Sequence, residues 1–127
     1  MKRLFLVVCV AVAISGCSHI RMGLFLLKDN PTEGDPNSVP RGKVAFAEDC
    51  AQCHGTRADG AGTEANALTA IPTNILSPDY TKSAARIAAH IAYGKGAAMP
   101  AFVGTLSDEA IWDTANYLRS LRKRAVE

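Results

Sequence analysis

Five consecutive residues, Cys50, Ala51, Gln52, Cys53 and His54, constrain this chain more than any other feature. Read as helix, the two thiols stand one turn apart, and an imidazole follows directly. That order is the attachment signature of c-type haem: each sulfur adds to one vinyl group of the same porphyrin, and the histidine lies beneath the iron. A short segment thereby fixes a rigid ring at three points. Other uses of a C-x-x-C pair leave more unexplained. A structural zinc site needs a second ligand pair, but after His54 the chain holds no further cysteine and only His90. A redox dithiol needs a βαβ setting, and none is visible. A disulfide alone suits an exported protein but gives His54 no role. The expected cofactor is one covalently bound haem c, held by Cys50, Cys53 and His54.

The other face of the iron needs a ligand from elsewhere, and Met99 is the candidate, 45 residues after His54. Pro100 drives Met99 out of helical geometry, and Gly94 and Gly96 let the backbone fold close over a porphyrin, so the thioether projects from a loop. A lone methionine is otherwise a flexible core filler. His90 is the rival ligand; it lies at the edge of an apolar helix face, where an ordinary half-buried histidine is the commoner case.

Composition decides what kind of body holds the ring. The chain has 127 residues, too few for two ordinary domains, and its 48% hydrophobic and 20% charged residues exclude a disordered or low-complexity chain. Only 6% are aromatic, so a core built from side chains alone would be small and a cofactor would complete it. No run alternates with period two for long enough to be a strand, whereas three segments show helical spacing, so the expected class is all-α. The first helix runs from Pro40 to Ala51, capped by Asn37 or Ser38, with Gly42, Phe46 and Cys50 on one stripe. The second runs from Ser83 to Tyr93, turns Ala84, Ile87, Ala88 and Ile91 inward and stops at Gly94. The third starts at Ser107, with Asp108 and Glu109 at the positive end of its dipole and Arg119, Arg122, Lys123 and Arg124 at the other. Its inner stripe is Ile111, Ala115 and Leu118, beside Tyr117. Long loops over 55–80 and 95–106 suit segments that wrap a ligand.

Ahead of this body lies an export signal: Met1, Lys2 and Arg3, an apolar run from Leu4 to Ile14, then Ser15, Gly16 and Cys17. That run of eleven residues reaches roughly 16 Å as helix, about half of a bilayer core. An uncleaved anchor continuing to Leu27 would bury Ser18, His19 and Arg21 in lipid at high cost. The stretch Ile14 to Cys17 resembles the lipobox of bacterial lipoproteins, in which the cysteine is acylated and becomes the mature N-terminus. Ordinary cleavage after Ala13 competes with this and leaves Cys17 a free thiol. The expected organisation is a signal peptide at 1–16, a lipid-anchored tether at 17–39 and a domain at 40–127. The prolines and polar residues from Lys28 to Pro40 suit an extended spacer, while Leu24 to Leu27 suit either the lipid surface or the domain. Removing Lys2 and Arg3 from the 14 basic residues leaves 12 against 12 acidic ones, so no field for nucleic acid is implied.

From 40 to 127 the chain resembles the class I cytochromes c. The resemblance rests on Gly42 and Phe46 ahead of the Cys50, Cys53, His54 motif, on Gly55 after it, on Met99 with Pro100, and on Tyr117 and Leu118 in the last helix. It implies a three-helix fold around one haem, with the first and last helices crossing and Gly42 allowing close approach near Tyr117. It also implies a backbone carbonyl from Pro72, or from Thr73 or Asn74, that orients the His54 imidazole. Histidine and thioether together fill the iron's coordination, which favours electron passage over substrate binding. The expected role is a one-electron carrier, not an enzyme, exported to the periplasm and held on a bacterial membrane by lipidated Cys17. Redox partners would dock transiently near Ala51, Gln52 and residues 95–102, with Lys95 steering the encounter. Two further roles keep the same motif: a haem-bearing subunit of a larger respiratory oxidoreductase, and a haem sensor or peroxidase in which Met99 is displaced.

Overall fold

Ser83 and Ser107 each start a helix by the same device. In the computed structural model, which describes residues 20–126, Ser83 Oγ accepts from the Arg86 backbone N–H at 3.2 Å, and Ser107 Oγ accepts from that of Ala110 at 3.1 Å. Each bond satisfies a donor that a helix start leaves open. Among the described residues the chain forms, in order, α1 (Ser38–Asp49), α2 (Ala51–His54), a 3-10 turn (Ala65–Ala67), α3 (Ala84–Tyr93) and α4 (Asp108–Val126). Residues 20–25 are also helical. Extended pairing among these residues is limited to isolated bridges between Lys95 and Met99 and between Val103 and Leu106. The fold is all-α, as expected.

α1 departs from expectation at both ends. It opens at Ser38, and Asn37 makes no side-chain cap bond. The Ser38 hydroxyl turns away instead, donating to Thr32 Oγ1 at 3.3 Å and accepting from Asn116 Nδ2 at 2.8 Å. The helix closes at Asp49 because Cys50 leaves helical geometry, with φ −123° and ψ −32°.

Both α1 and α3 pack on α4. The α1–α4 crossing is centred on Gly42: the Asp113 carbonyl group and the Thr114 nitrogen occupy the place a side chain would take. The close approach therefore falls one turn before Tyr117, and it is Phe46 that meets Tyr117, ring centroids 5.6 Å apart. Beside the crossing, Arg41 donates through Nε to Asp113 at 2.6 Å, and through Nη2 to Asp113 at 3.1 Å and to Asp35 at 2.8 Å. Asp113 is 2% exposed, and this two-pronged pairing spares it the cost of an isolated buried charge.

The segment expected to be an extended spacer is folded onto the helices instead. Phe25 is 2% exposed; it stacks on Trp112 at 5.5 Å and meets Tyr93 edge-on at 5.7 Å. Asn30 donates to Asn116 at 2.9 Å, and Lys28 pairs with Asp108 at 2.9 Å. The prolines stiffen turns, not a rod: Glu33 N–H bonds the Asn30 carbonyl, Asp35 that of Thr32, and Ser38 that of Asp35. The folded unit thus reaches back to Phe25, past the boundary drawn at residue 40. The signal peptide and Cys17 lie outside the described residues. Among those described, no helix is long and apolar enough to cross a membrane.

Candidate haem-binding cleft

α2 is a single turn whose bonds all come from the motif and its neighbours. The Cys53 and His54 N–H groups donate to the Cys50 carbonyl at 3.2 and 2.9 Å, and Gly55 N–H donates to Ala51 at 2.9 Å. Gly55, at φ +79°, then reverses the chain. The following loop wraps the turn, with Gly60, Gly62 and Glu64 N–H groups bonding the carbonyls of His54, Cys53 and Gln52 at 2.8, 3.3 and 2.9 Å. The motif is clamped by backbone on both sides, which fixes where its side chains emerge.

A cleft opens between this turn, α3, α4 and the loop after α3. Cys50, His54 and Met99 line it together, with Phe46, Ile75, Ile87, Ile91 and Leu118 supplying apolar walls. Cys53, one turn from Cys50, does not belong to the described wall. Met99 arrives from a loop held at both ends. Gly94 closes α3 at φ +75° with the Met99 carbonyl packed where its side chain would be. Lys95 N–H donates to that carbonyl at 3.0 Å, and Phe102 and Val103 N–H groups return to Ile91 and Ala92 at 3.1 and 3.0 Å.

The electrostatics of Cys50 make it a poor attacking thiol. Burial, then the charges of Asp49 and Cys53, push the Cys50 thiol up to about 12, whereas exchange needs a lowered pKa. His54 is pushed below the usual histidine range by burial, with the Thr73 carbonyl acting the other way. Its Nδ1 is buried and has no partner at hydrogen-bonding geometry, so the Thr73 carbonyl lies beside the ring without closing a full bond. Pro72 is not the partner; its carbonyl packs against Gly60. An imidazole with one nitrogen next to a carbonyl, in an apolar cleft, suits ligation through the other nitrogen.

His90 lies on the same wall, with a buried and unpartnered Nδ1. Burial first, then Lys82, Lys95 and Arg86, push its pKa below the usual value. The unfolded chain takes up this proton near pH 6.5 while the folded chain resists it, so stability should fall as pH drops below about 6.5. Thermal unfolding at about pH 7.5 and about pH 5 measures the loss, and His90→Gln should make the dependence shallower. An unchanged slope would remove His90 as the cause. Tyr80 and Lys82 also line this wall; both sit in a loop without periodicity, so no local pattern in the sequence marks them. Burial pushes the Tyr80 hydroxyl up to about 12, so it keeps its proton at neutral pH.

A covalently tethered ring fits this donor set: an apolar slot, a thiol at its edge, and an imidazole and a thioether on its walls. Residues 37–118 match the family described as cytochrome c oxidase, cbb3-type, subunit III, and the chain belongs to this family of c-type cytochrome domains. It is 31% identical over 100 residues to the cbb3-type cytochrome c oxidase subunit CcoP of Azospirillum brasilense, across 76% of this chain and 33% of that protein. It is 40% identical over 77 residues to cytochrome c6 of Leptolyngbya boryana, across 61% of this chain and 84% of that protein. The chain thus spans about a third of the length of its cbb3-type relatives. A solved chain of the Kuenenia stuttgartiensis reducing HAO-like protein complex Kustc0457/Kustc0458 shares the fold, with a TM-score of 0.66 at 24% identity over 74% of this chain and 49% of that one. The cofactor is covalently bound c-type haem.

Proposed function

We propose that Cys50 and Cys53 carry the two thioether links, that His54 and Met99 are the axial ligands, and that the protein is a one-electron carrier of the periplasm tethered to the membrane through acylated Cys17. The observation that carries this reading is the convergence of Cys50, His54 and Met99 on one apolar cleft. A haem iron with both axial positions filled takes up and releases one electron without binding substrate. The protein's part is to hold the ligands still. Backbone bonds clamp the His54 turn and both ends of the Met99 loop, so neither ligand need move when charge arrives. Apolar walls keep water from the centre, while Gln52, Lys95, Pro100 and Ala101 stay exposed for transient docking.

Acidified organic solvent tests attachment directly. Haem should remain on the denatured polypeptide, and Cys53→Ala should leave a single link and a poorly matured product. Haem that leaves the unmutated chain would refute the proposal.

The cbb3-type relatives favour a second reading, in which the domain is a fixed relay within a larger oxidoreductase. Migration in mild detergent separates the two: a carrier runs alone, and a subunit runs with a large membrane complex.

A further inference from the structure

The helical segment 20–25 and the turn after it have two apolar faces, and the fold uses one of them. Met22, Phe25 and Leu26 point into the core, with Phe25 locked between Trp112 and Tyr93. Ile20, Leu24 and Leu27, at the helical spacing i, i+4 and i+7, are 63%, 62% and 81% exposed. Single exposed aliphatic residues are ordinary, but three on one stripe of a segment otherwise packed on its protein are a surface without a partner.

We infer that this stripe lies in the surface of the phospholipid bilayer and fixes how the domain stands on the membrane. The inference rests on the proposed lipid anchor, since Cys17 precedes Ile20 by three residues. Three residues span at most about 11 Å, so an acylated Cys17 holds the stripe at headgroup depth whatever path the chain takes. A second copy of the chain is a poorer occupant: three aliphatic side chains fall well short of the ~800 Å² per partner that a stable interface buries. The orientation has a consequence for the cleft. Because Phe25 meets Tyr93, the last residue of α3, the end of α3 from which the Met99 loop departs is tied to the segment that carries the stripe.

The test uses the matured, haem-loaded full chain with a spin label on a cysteine introduced as Leu24→Cys, Leu27→Cys or, as control, Val44→Cys; Val44 is 57% exposed on α1. Each protein is measured with vesicles of phosphatidylethanolamine and phosphatidylglycerol, and without them, and its N-terminus is weighed by mass spectrometry. Labels at 24 and 27 should lose contact with a water-soluble relaxation agent and gain contact with oxygen in the vesicle sample alone, while the label at 44 stays in water. Vesicle-bound protein with all three labels equally wet would overturn the inference and leave the anchor standing. Protection of 24 and 27 without vesicles would overturn it in favour of a second chain. If the mass shows an unmodified Cys17, the anchor reading fails. Labels at 24 and 27 that still enter the vesicles would then support the stripe, and labels that stay in water would end both ideas. Leu24→Ser with Leu27→Ser should lower vesicle partition of an unacylated Cys17→Ser chain roughly tenfold or more; an unchanged partition would also overturn the inference.

Discussion

Met99→Ala should abolish the weak far-red absorption of the ferric protein and make the ferrous protein bind carbon monoxide rapidly. Both changes report loss of a thioether from iron. The reduction potential should fall by on the order of 100 mV, a fraction of the ~0.8 V over which axial ligands tune haem proteins. The prediction is clean because the loop does not depend on the side chain being removed. Gly94 packs against the Met99 backbone, Lys95 bonds its carbonyl, and Phe102 and Val103 return to α3 through their own N–H groups. Truncation therefore empties a place on the cleft wall and leaves the wall standing, so solvent and small ligands gain an open iron position. His90→Gln is the control and should leave the far-red band intact. If the unmutated ferric protein lacks the band, and His90→Gln rather than Met99→Ala opens the ferrous iron to carbon monoxide, the centre is bis-histidine. If the unmutated ferrous protein already binds carbon monoxide rapidly, the sensor or peroxidase reading gains over the carrier.

What sequence made legible here is what local chemistry determines. Ser83 and Ser107 announce helix starts because a hydroxyl reaches only three residues on, and Gly94 announces a stop because a positive φ is a property of one residue. The C-x-x-C-H motif is local too, and the structure places Cys50 and His54 on one cleft with Met99. The misreadings concern contacts between distant parts. A polar stretch with prolines is a fair spacer by composition, and nothing near Asn30 in sequence reveals Asn116 as its partner. Trp112 fell outside the expected stripe of α4 because a stripe assumes one covering surface. Here α1, α3 and the Phe25 segment each cover part of the helix, and the buried arc widens to take in Trp112, Asp113 and Thr114. The Arg41–Asp113 pair was equally invisible, since neither residue has a local reason to seek the other. The carbonyl beside His54 turned out to be that of Thr73 and not of Pro72, a register decided by how the 55–64 loop packs, with the Pro72 carbonyl set against Gly60.

Gly42→Ala should be the most damaging single methyl group that can be added to the described fold. In an open helix the change would help, by up to about 1 kcal/mol, because alanine loses less backbone freedom than glycine. At this position the new methyl would meet the Asp113 carbonyl group and the Thr114 nitrogen. These are backbone atoms inside a helix, with no rotamer by which to yield, so α1 must back away from α4. Separation strips other contacts at once: the Arg41 bonds to buried Asp113 lengthen, and the Phe46 ring draws back from Tyr117. Overpacking of this kind costs typically 1–3 kcal/mol, and a crossing that cannot relax lies at the upper end, about 3 kcal/mol. For a domain of this size that lowers Tm by more than about 10 °C. Gly23→Ala provides the comparison, since Gly23 is also in a helical turn but has nothing within 4 Å of an added Cβ; it should leave Tm unchanged or slightly raised. Thermal unfolding of the haem-loaded proteins, followed by far-ultraviolet circular dichroism, decides the matter. A Gly42→Ala protein as stable as the Gly23→Ala protein would mean that α1 and α4 do not meet backbone to backbone, and the crossing that carries Cys50 and His54 to the cleft would have to be drawn elsewhere.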